Sequence, residues 1–182
     1  MIHTPPIEPL HEMVARLEGA GLVCALGGSG MLAAFGLVES VRDWDVTTDA
    51  PLDRVHDLFR DLEPDLYGSS GIHADHKLVL RNGEIEVIVG FAMHGERGVI
   101  HLPTIVTESW RGVPLGSPEV WAVAYTLLGR EEKATMLFEW MGRSGADRAA
   151  IARITAEPLD ASLQRRLTAL PLRDESRLEP RE

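Results

Sequence analysis

Leu22-Val23-Cys24-Ala25-Leu26, then Gly27-Gly28-Ser29-Gly30, then Met31-Leu32-Ala33-Ala34-Phe35 is the stretch from which the rest of the chain is read. Its two apolar runs, joined by a glycine-rich turn and ended near Gly36, predict a strand, a turn and a helix. Backbone N–H groups at such a turn, backed by the positive end of the helix dipole, can receive phosphate. Glycine lets the backbone approach an anion closely, and Ser29 adds a hydroxyl donor. Gly27, Gly28 and Ser29 are therefore candidate phosphate-binding residues. A Gly-Gly turn between strand and helix is also a common structural joint, so it needs support from elsewhere in the chain.

That support comes from Arg42-Asp43-Trp44-Asp45-Val46-Thr47-Thr48, whose aromatic and β-branched residues predict a second strand. Residues two apart on a strand face the same side with Cα atoms roughly 6.5 Å apart, so Asp43 and Asp45 share a face and Trp44 points the other way. Two carboxylates that close repel each other, and a hard divalent cation with oxygen ligands relieves the repulsion. A solvated Asp-X-Asp at a strand edge is the plainer reading. Further on, Ile85, Val87 and Val89 form one face of Glu84-Ile85-Glu86-Val87-Ile88-Val89, which puts Glu84 and Glu86 on the other. Glu84 adjoins the Asn82-Gly83 turn, whereas Glu86 is deeper in the strand and needs a counter-charge. If that strand lies beside the Asp43 strand, three carboxylates converge in front of the glycine turn.

The remaining pattern frames this unit. Leu10, Met13, Val14 and Leu17 recur at helical spacing before Gly19 and Gly21, and Leu52, Val55, Leu58, Phe59 and Leu62 do so after Pro51. Lys77 to Leu80 and Glu84 to Val89 predict a hairpin around Arg81-Asn82-Gly83. One edge strand, broken at Pro103, is expected between Val99 and Val106. Ser117-Pro118-Glu119 reads as an N-cap, a first-turn proline and an acid near the positive helix end. Helices are expected over Val120 to Leu128, Glu131 to Met141 with Gly142 ending it, Asp147 to Ile154 and Leu159 to Leu170. The expectation is an α+β fold, a small mixed sheet flanked by helices, with a core over 1–115, a C-terminal helical region over 116–172 and a frayed tail over 173–182.

Composition narrows the chemistry. A 45% hydrophobic and 25% charged chain of 182 residues suits one globular core with a helical extension. The net charge of -10, with no basic block, disfavours a broad grip on nucleic acid or an anionic membrane. Cys24 is the single cysteine, which excludes an intramolecular disulfide and a cysteine-based zinc site. No secretory leader pattern and no apolar run of membrane-spanning length stand out, so a cytoplasmic protein is expected. His73 and His76 have a metal-like spacing but fall in a loop. Lys77, one of two lysines with Lys133, could meet a phosphate if it points into the cleft, but is expected at the surface. Trp110 with Arg111 could line a pocket.

Paired carboxylates behind a phosphate-binding turn suit phosphoryl or nucleotidyl transfer, where cations neutralise phosphate charge and activate the attacking hydroxyl. The order of strand, Gly-Gly-Ser turn, helix, Asp-X-Asp strand, helix and acid-bearing hairpin over residues 22–91 resembles the DNA polymerase β-like nucleotidyltransferase superfamily. More loosely, Ser117-Pro118-Glu119 and Arg130-Glu131-Glu132-Lys133 look like the helical region of its small antibiotic-modifying and toxin-type members. The resemblance implies a nucleotidyltransferase fold, Asp43 and Asp45 as ligands of Mg²⁺ or Mn²⁺, and Glu86 as third metal-binding carboxylate and general base. It also implies phosphate contacts from Gly28 and Ser29, and a nucleoside triphosphate as substrate. Glu86 stands where the family usually has Asp, Trp44 where a smaller aliphatic is usual, and Ala134 where many members have an acid. The acceptor is open: a small molecule or protein is expected before nucleic acid, and the oligomeric state is not legible. Two alternatives stand beside this reading. One is an inactive relative that keeps the fold for binding. The other is a dinucleotide site, since Gly28-Ser29-Gly30-Met31-Leu32-Ala33 fits G-x-G-x-x-A with Asp49 some way downstream.

Overall fold

The helical spacing near the N-terminus produces α1 (Glu8–Gly19), which buries Leu10, Met13, Val14 and Leu17 on one face. Gly21, at φ 70°, takes the left-handed conformation that turns the chain out of the helix. The structure is a computed structural model that describes residues 4–173. Most of the expected tail, 174–182, lies outside the described residues. Arg173 does not fray: its N–H donates to the Ala146 carbonyl at 2.8 Å, and Leu172 bridges to Ala146.

The chain then enters the sheet through β1 (Ala25–Leu26), shorter than the five-residue strand expected, and leaves it through α2 (Gly28–Ala34). β2 (Trp44–Thr48) returns antiparallel to β1, with Ala25 opposite Thr47. After α3 (Leu52–Leu58) and a 3-10 turn come β3 (Asp65–Tyr67), β4 (His76–Leu80) and β5 (Ile85–Val89). β4 and β5 form the expected hairpin, and β5 lies parallel to β2 with Asp45 opposite Glu86. The edge strand expected over Val99 to Val106 is instead two strands in different sheets. β6 (Ala92–Gly95) and β7 (Gly98–His101) make a separate hairpin, and β8 (Val106–Trp110) pairs with β9 (Val113–Gly116). Between β7 and β8 the chain crosses over at Pro103, which has no N–H to give a ladder, and Asp49 holds Thr104 through its N–H and hydroxyl. The mixed sheet has the order β3-β4-β5-β2-β1-β9-β8.

Four helices complete the described chain: α4 (Pro118–Leu127), α5 (Glu131–Ser144), α6 (Arg148–Thr155) and α7 (Ala161–Thr168). α5 runs through Gly142 and stops at Gly145, whose φ of 80° suits a helix end better than the interior glycine does. Ser117 caps α4 by accepting from the Val120 N–H. Glu119, in the first turn as expected, is fully buried and accepts from the Ser117 hydroxyl at 2.5 Å and the Asp147 N–H at 2.7 Å.

Two apolar cores result. One packs α1 and α3 against Trp44, Val46, Leu78, Val87 and Leu115 of the sheet; the other gathers α4 to α7 with Met31, Leu32, Ile88, Phe91 and Met93. α2 contributes to both, so the helical region is packed directly onto the strand-turn-helix unit. Cys24 is buried, which pushes its thiol up to about 12. Among the described residues no helix is long and apolar enough to cross a membrane.

Candidate active site

β2 places Trp44 inward and Asp45 outward, as strand alternation requires. Trp44 is buried against Gly30 of α2 and donates its indole N–H to the Pro6 carbonyl at 3.1 Å. Asp45 on the opposite side opens into a cleft of about 820 Å³ between the end of the sheet and the α4–α5 corner. Ser29, Asp43 and Arg42 line the same wall, and Arg130, Glu131, Glu132 and Lys133 line the other. Asp43 lies just before β2, and its Oδ2 accepts from Arg42 Nη2 at 3.0 Å and Nε at 3.2 Å.

Glu86 is the residue opposite Asp45 across the ladder, but its carboxylate takes Lys77 Nζ at 2.6 Å. Lys77 is half-buried on β4 rather than exposed, and it supplies the counter-charge that Glu86 needs. Glu86 is absent from the cleft lining. Burial, and then the charges of Asp43 and Glu86, push the Asp45 carboxyl up to about 7, with Lys77 and Arg130 opposing. Asp43 and Asp45 are thus brought together on one wall, while Glu86, beside Asp45 on the same face of the sheet, adds its charge but is held by Lys77. Among the described residues no three His, Cys, Asp or Glu groups are set to hold a metal ion. Asp43 and Asp45, hard oxygen donors on one wall, still fit a divalent cation, which would relieve the repulsion that adds to burial in raising the Asp45 carboxyl.

The glycine turn is tighter than the sequence suggests, because α2 begins at Gly28 itself. Gly27 donates its N–H to the Asp45 carbonyl at 2.8 Å, so it has no backbone donor left for a phosphate. A Cβ on Gly27 would collide with the Trp121 indole of α4, and one on Gly28 with the Asp45 carboxylate. Packing is therefore reason enough for both glycines. Ser29 alone of the three candidates lines the cleft. Gly28→Ala is expected to push the Asp45 carboxylate aside and to strain a φ of 54°, which by itself costs about 1–2 kcal/mol. Thermal denaturation should show that loss, and divalent-cation binding measured by calorimetry should weaken with it. Unchanged cation binding would mean that the Gly28 contact does not place Asp45.

Arg130 and Lys133 line the cleft, and the sequence offers them only through the looser likeness of Arg130-Glu131-Glu132-Lys133. Both follow Gly129, a left-handed turn at φ 67° that swings the start of α5 back over α4. Burial, together with the charge of Arg130, lowers the Lys133 ammonium below its usual range. Trp110 and Arg111 lie elsewhere, stacked on each other at the β8–β9 turn with Trp110 against the α1 core. His73 faces Asp75 at 3.7 Å and lines no part of this cleft. The dinucleotide alternative fails on topology. Such a site needs parallel strands around its crossover helix, whereas β1 and β2 are antiparallel and Asp49 is engaged by Thr104.

No protein-family model and no curated protein matches the chain. Solved structures do. A protein from Thermotoga maritima assigned as a nucleotidyltransferase aligns with a TM-score of 0.54 over 75% of this chain and 92% of its own, at 23% identity. The antibiotic-resistance factor ANT(2'')-Ia in solution aligns with a TM-score of 0.50 over 74% of this chain and 83% of that one, at 15% identity. Its crystal structure with adenylyl-2''-tobramycin gives a TM-score of 0.50 over 90% and 97%, at 10% identity. The fold of this chain is the nucleotidyltransferase fold.

Proposed function

We propose that this chain is a metal-dependent nucleotidyltransferase that moves a nucleoside monophosphate from a nucleoside triphosphate to the hydroxyl of a small-molecule acceptor. The observation that carries the reading is one cleft with Asp43 and Asp45 on one wall and Arg130 and Lys133 on the other. Arg130, Lys133 and the Ser29 hydroxyl suit the phosphates. Asp43 and Asp45 would hold Mg²⁺ or Mn²⁺, which when bound neutralises phosphate charge and makes the attacking hydroxyl more acidic. The acceptor oxygen bonds to the α-phosphorus as pyrophosphate leaves, and the hydroxyl proton passes to a carboxylate.

Asp45, protonated up to about neutrality in the free chain, gives up its proton as positive charge enters the cleft. Glu86 is the third carboxylate of the proposal, and it reaches a reacting hydroxyl by exchanging its Lys77 partner. Glu131 and Glu132 on the cleft rim favour an acceptor that carries positive charge. The net charge of -10 argues against an RNA end.

One observation favours a second reading, nucleotide binding without transfer: Lys77 already occupies the carboxylate that would serve as base. A thermal-shift series with each common nucleoside triphosphate, with and without magnesium, tests the shared part. Stabilisation of about 2.7 kcal/mol at a hundredfold excess over Kd is expected, and only when the metal is present. Absence of any shift, with or without magnesium, would overturn both readings, and a shift that ignores magnesium would overturn the first. A shift without pyrophosphate release, across a panel of hydroxyl-bearing amines, would decide for the second.

A further inference from the structure

We propose that the Tyr125 hydroxyl is a substrate-binding group that donates to a phosphate oxygen of the incoming nucleotide; this rests on the function proposed above. Tyr125 is fully buried on α4, yet its hydroxyl has no hydrogen-bond partner among the described residues. A buried unpaired hydroxyl destabilises the free chain, since water would have satisfied it. Its place in the fold says what it faces. Tyr125 follows Trp121 by one helical turn on the same face of α4, and the Trp121 indole rests on Gly27, two residues before the cleft-lining Ser29. Lys133 Nζ lies 5.4 Å from the Tyr125 ring centre, over its face, and Lys133 lines the cleft. The charges that act on the phenol are those of Asp45, Arg130 and Asp43, all cleft residues.

Arg130 and Lys133 have no carboxylate ion-pair partner among the described residues. The unpaired Tyr125 hydroxyl is thus buried beside a cleft wall whose two cations, Arg130 and Lys133, have no such carboxylate partner. Their complement is an anion with several oxygens. The carboxylates on the facing wall repel a bare anion and admit one that arrives with a cation, which describes a magnesium-bound polyphosphate.

The test compares wild type with Tyr125→Phe, which keeps the ring and removes only the oxygen. Thermal denaturation is followed without ligand, then with magnesium plus inorganic tripolyphosphate and, separately, magnesium plus ATP, GTP, CTP or UTP. The variant is expected to be at least as stable as wild type when ligand-free, and to bind both probes about tenfold to a hundredfold more weakly. Equal affinity in the two proteins overturns the assignment alone. A marked loss of ligand-free stability also overturns it, because the hydroxyl would then be holding the fold. A wild type that no probe stabilises overturns the function reading and this assignment with it.

Discussion

Asp45→Asn is expected to abolish nucleotidyl transfer and, in the same protein, to raise the stability of the ligand-free chain at neutral pH and above. The loss follows from removing one of the two carboxylates on the strand wall of the cleft. The gain follows from linkage. Burial and the neighbouring acids raise the Asp45 carboxyl from 3.8 to about 7 in the folded chain, so between those values the folded state binds a proton that the unfolded state has released. Stability contributed by that proton is complete below about pH 4 and is lost as the pH rises to about 7. A tenfold difference in proton affinity between the folded and unfolded chain is worth about 1.4 kcal/mol, which makes the loss on the order of several kcal/mol. Asparagine carries no proton to lose. Its denaturation profile should be flatter through this window, level with wild type at low pH and above it past neutrality. Magnesium should stabilise wild type and leave the variant unmoved. Transfer that survives the substitution would refute the site assignment, whatever the stability curves show.

Glu119→Ala is the substitution expected to cost most stability. The carboxylate is fully buried and serves two donors at once, the Ser117 hydroxyl that caps α4 and the Asp147 N–H at the start of α6. Alanine leaves both without an acceptor, at about 1–3 kcal/mol each, and opens a void where the rest of the side chain was packed. A fall in Tm on the order of 10 °C is expected for a chain of this size. Glu119→Gln keeps the shape and one acceptor oxygen, so it should lie between the two. A Tm for Glu119→Ala within a degree or two of wild type would show that water replaces the carboxylate and that the joint between α4 and α6 does not depend on it.

What can be read from the residues, and what cannot, divides along contact distance in the chain. The alternation of Asp43, Trp44 and Asp45 is a local property, and so is that of Ile85, Glu86 and Val87; each dictates its own facing before any partner is known. The adjacency of the two strands is conditional in the residues alone, and the structure supplies it, with Asp45 in register with Glu86. Lys77 passes for a surface residue because its meeting with Glu86 is diagonal across β4 and β5, and only the register reveals it. Gly27 looks open because a glycine suggests room, whereas the room is filled by Trp121 from far along the chain. The same long-range packing hides Tyr125, near the end of an α4 buried almost all round, and the cleft roles of Arg130 and Lys133, whose local pattern is that of any helix start. The β8–β9 hairpin is illegible for another reason. Its two-residue turn, Arg111-Gly112, has both φ values positive, and arginine is an unusual occupant of the place where asparagine would have announced the turn. β3 is three exposed residues long, too short to show any period.

The indole of Trp121 set against Gly27 has a mechanical meaning. It clamps the sheet to the helical lobe at their deepest point, leaving no slack there for one to slide over the other. A widening of the cleft that kept this contact would pivot about it and part Val38 and Ser40 from the first turn of α5. Gly129, left-handed and unencumbered by neighbouring atoms, sits where such a pivot would flex.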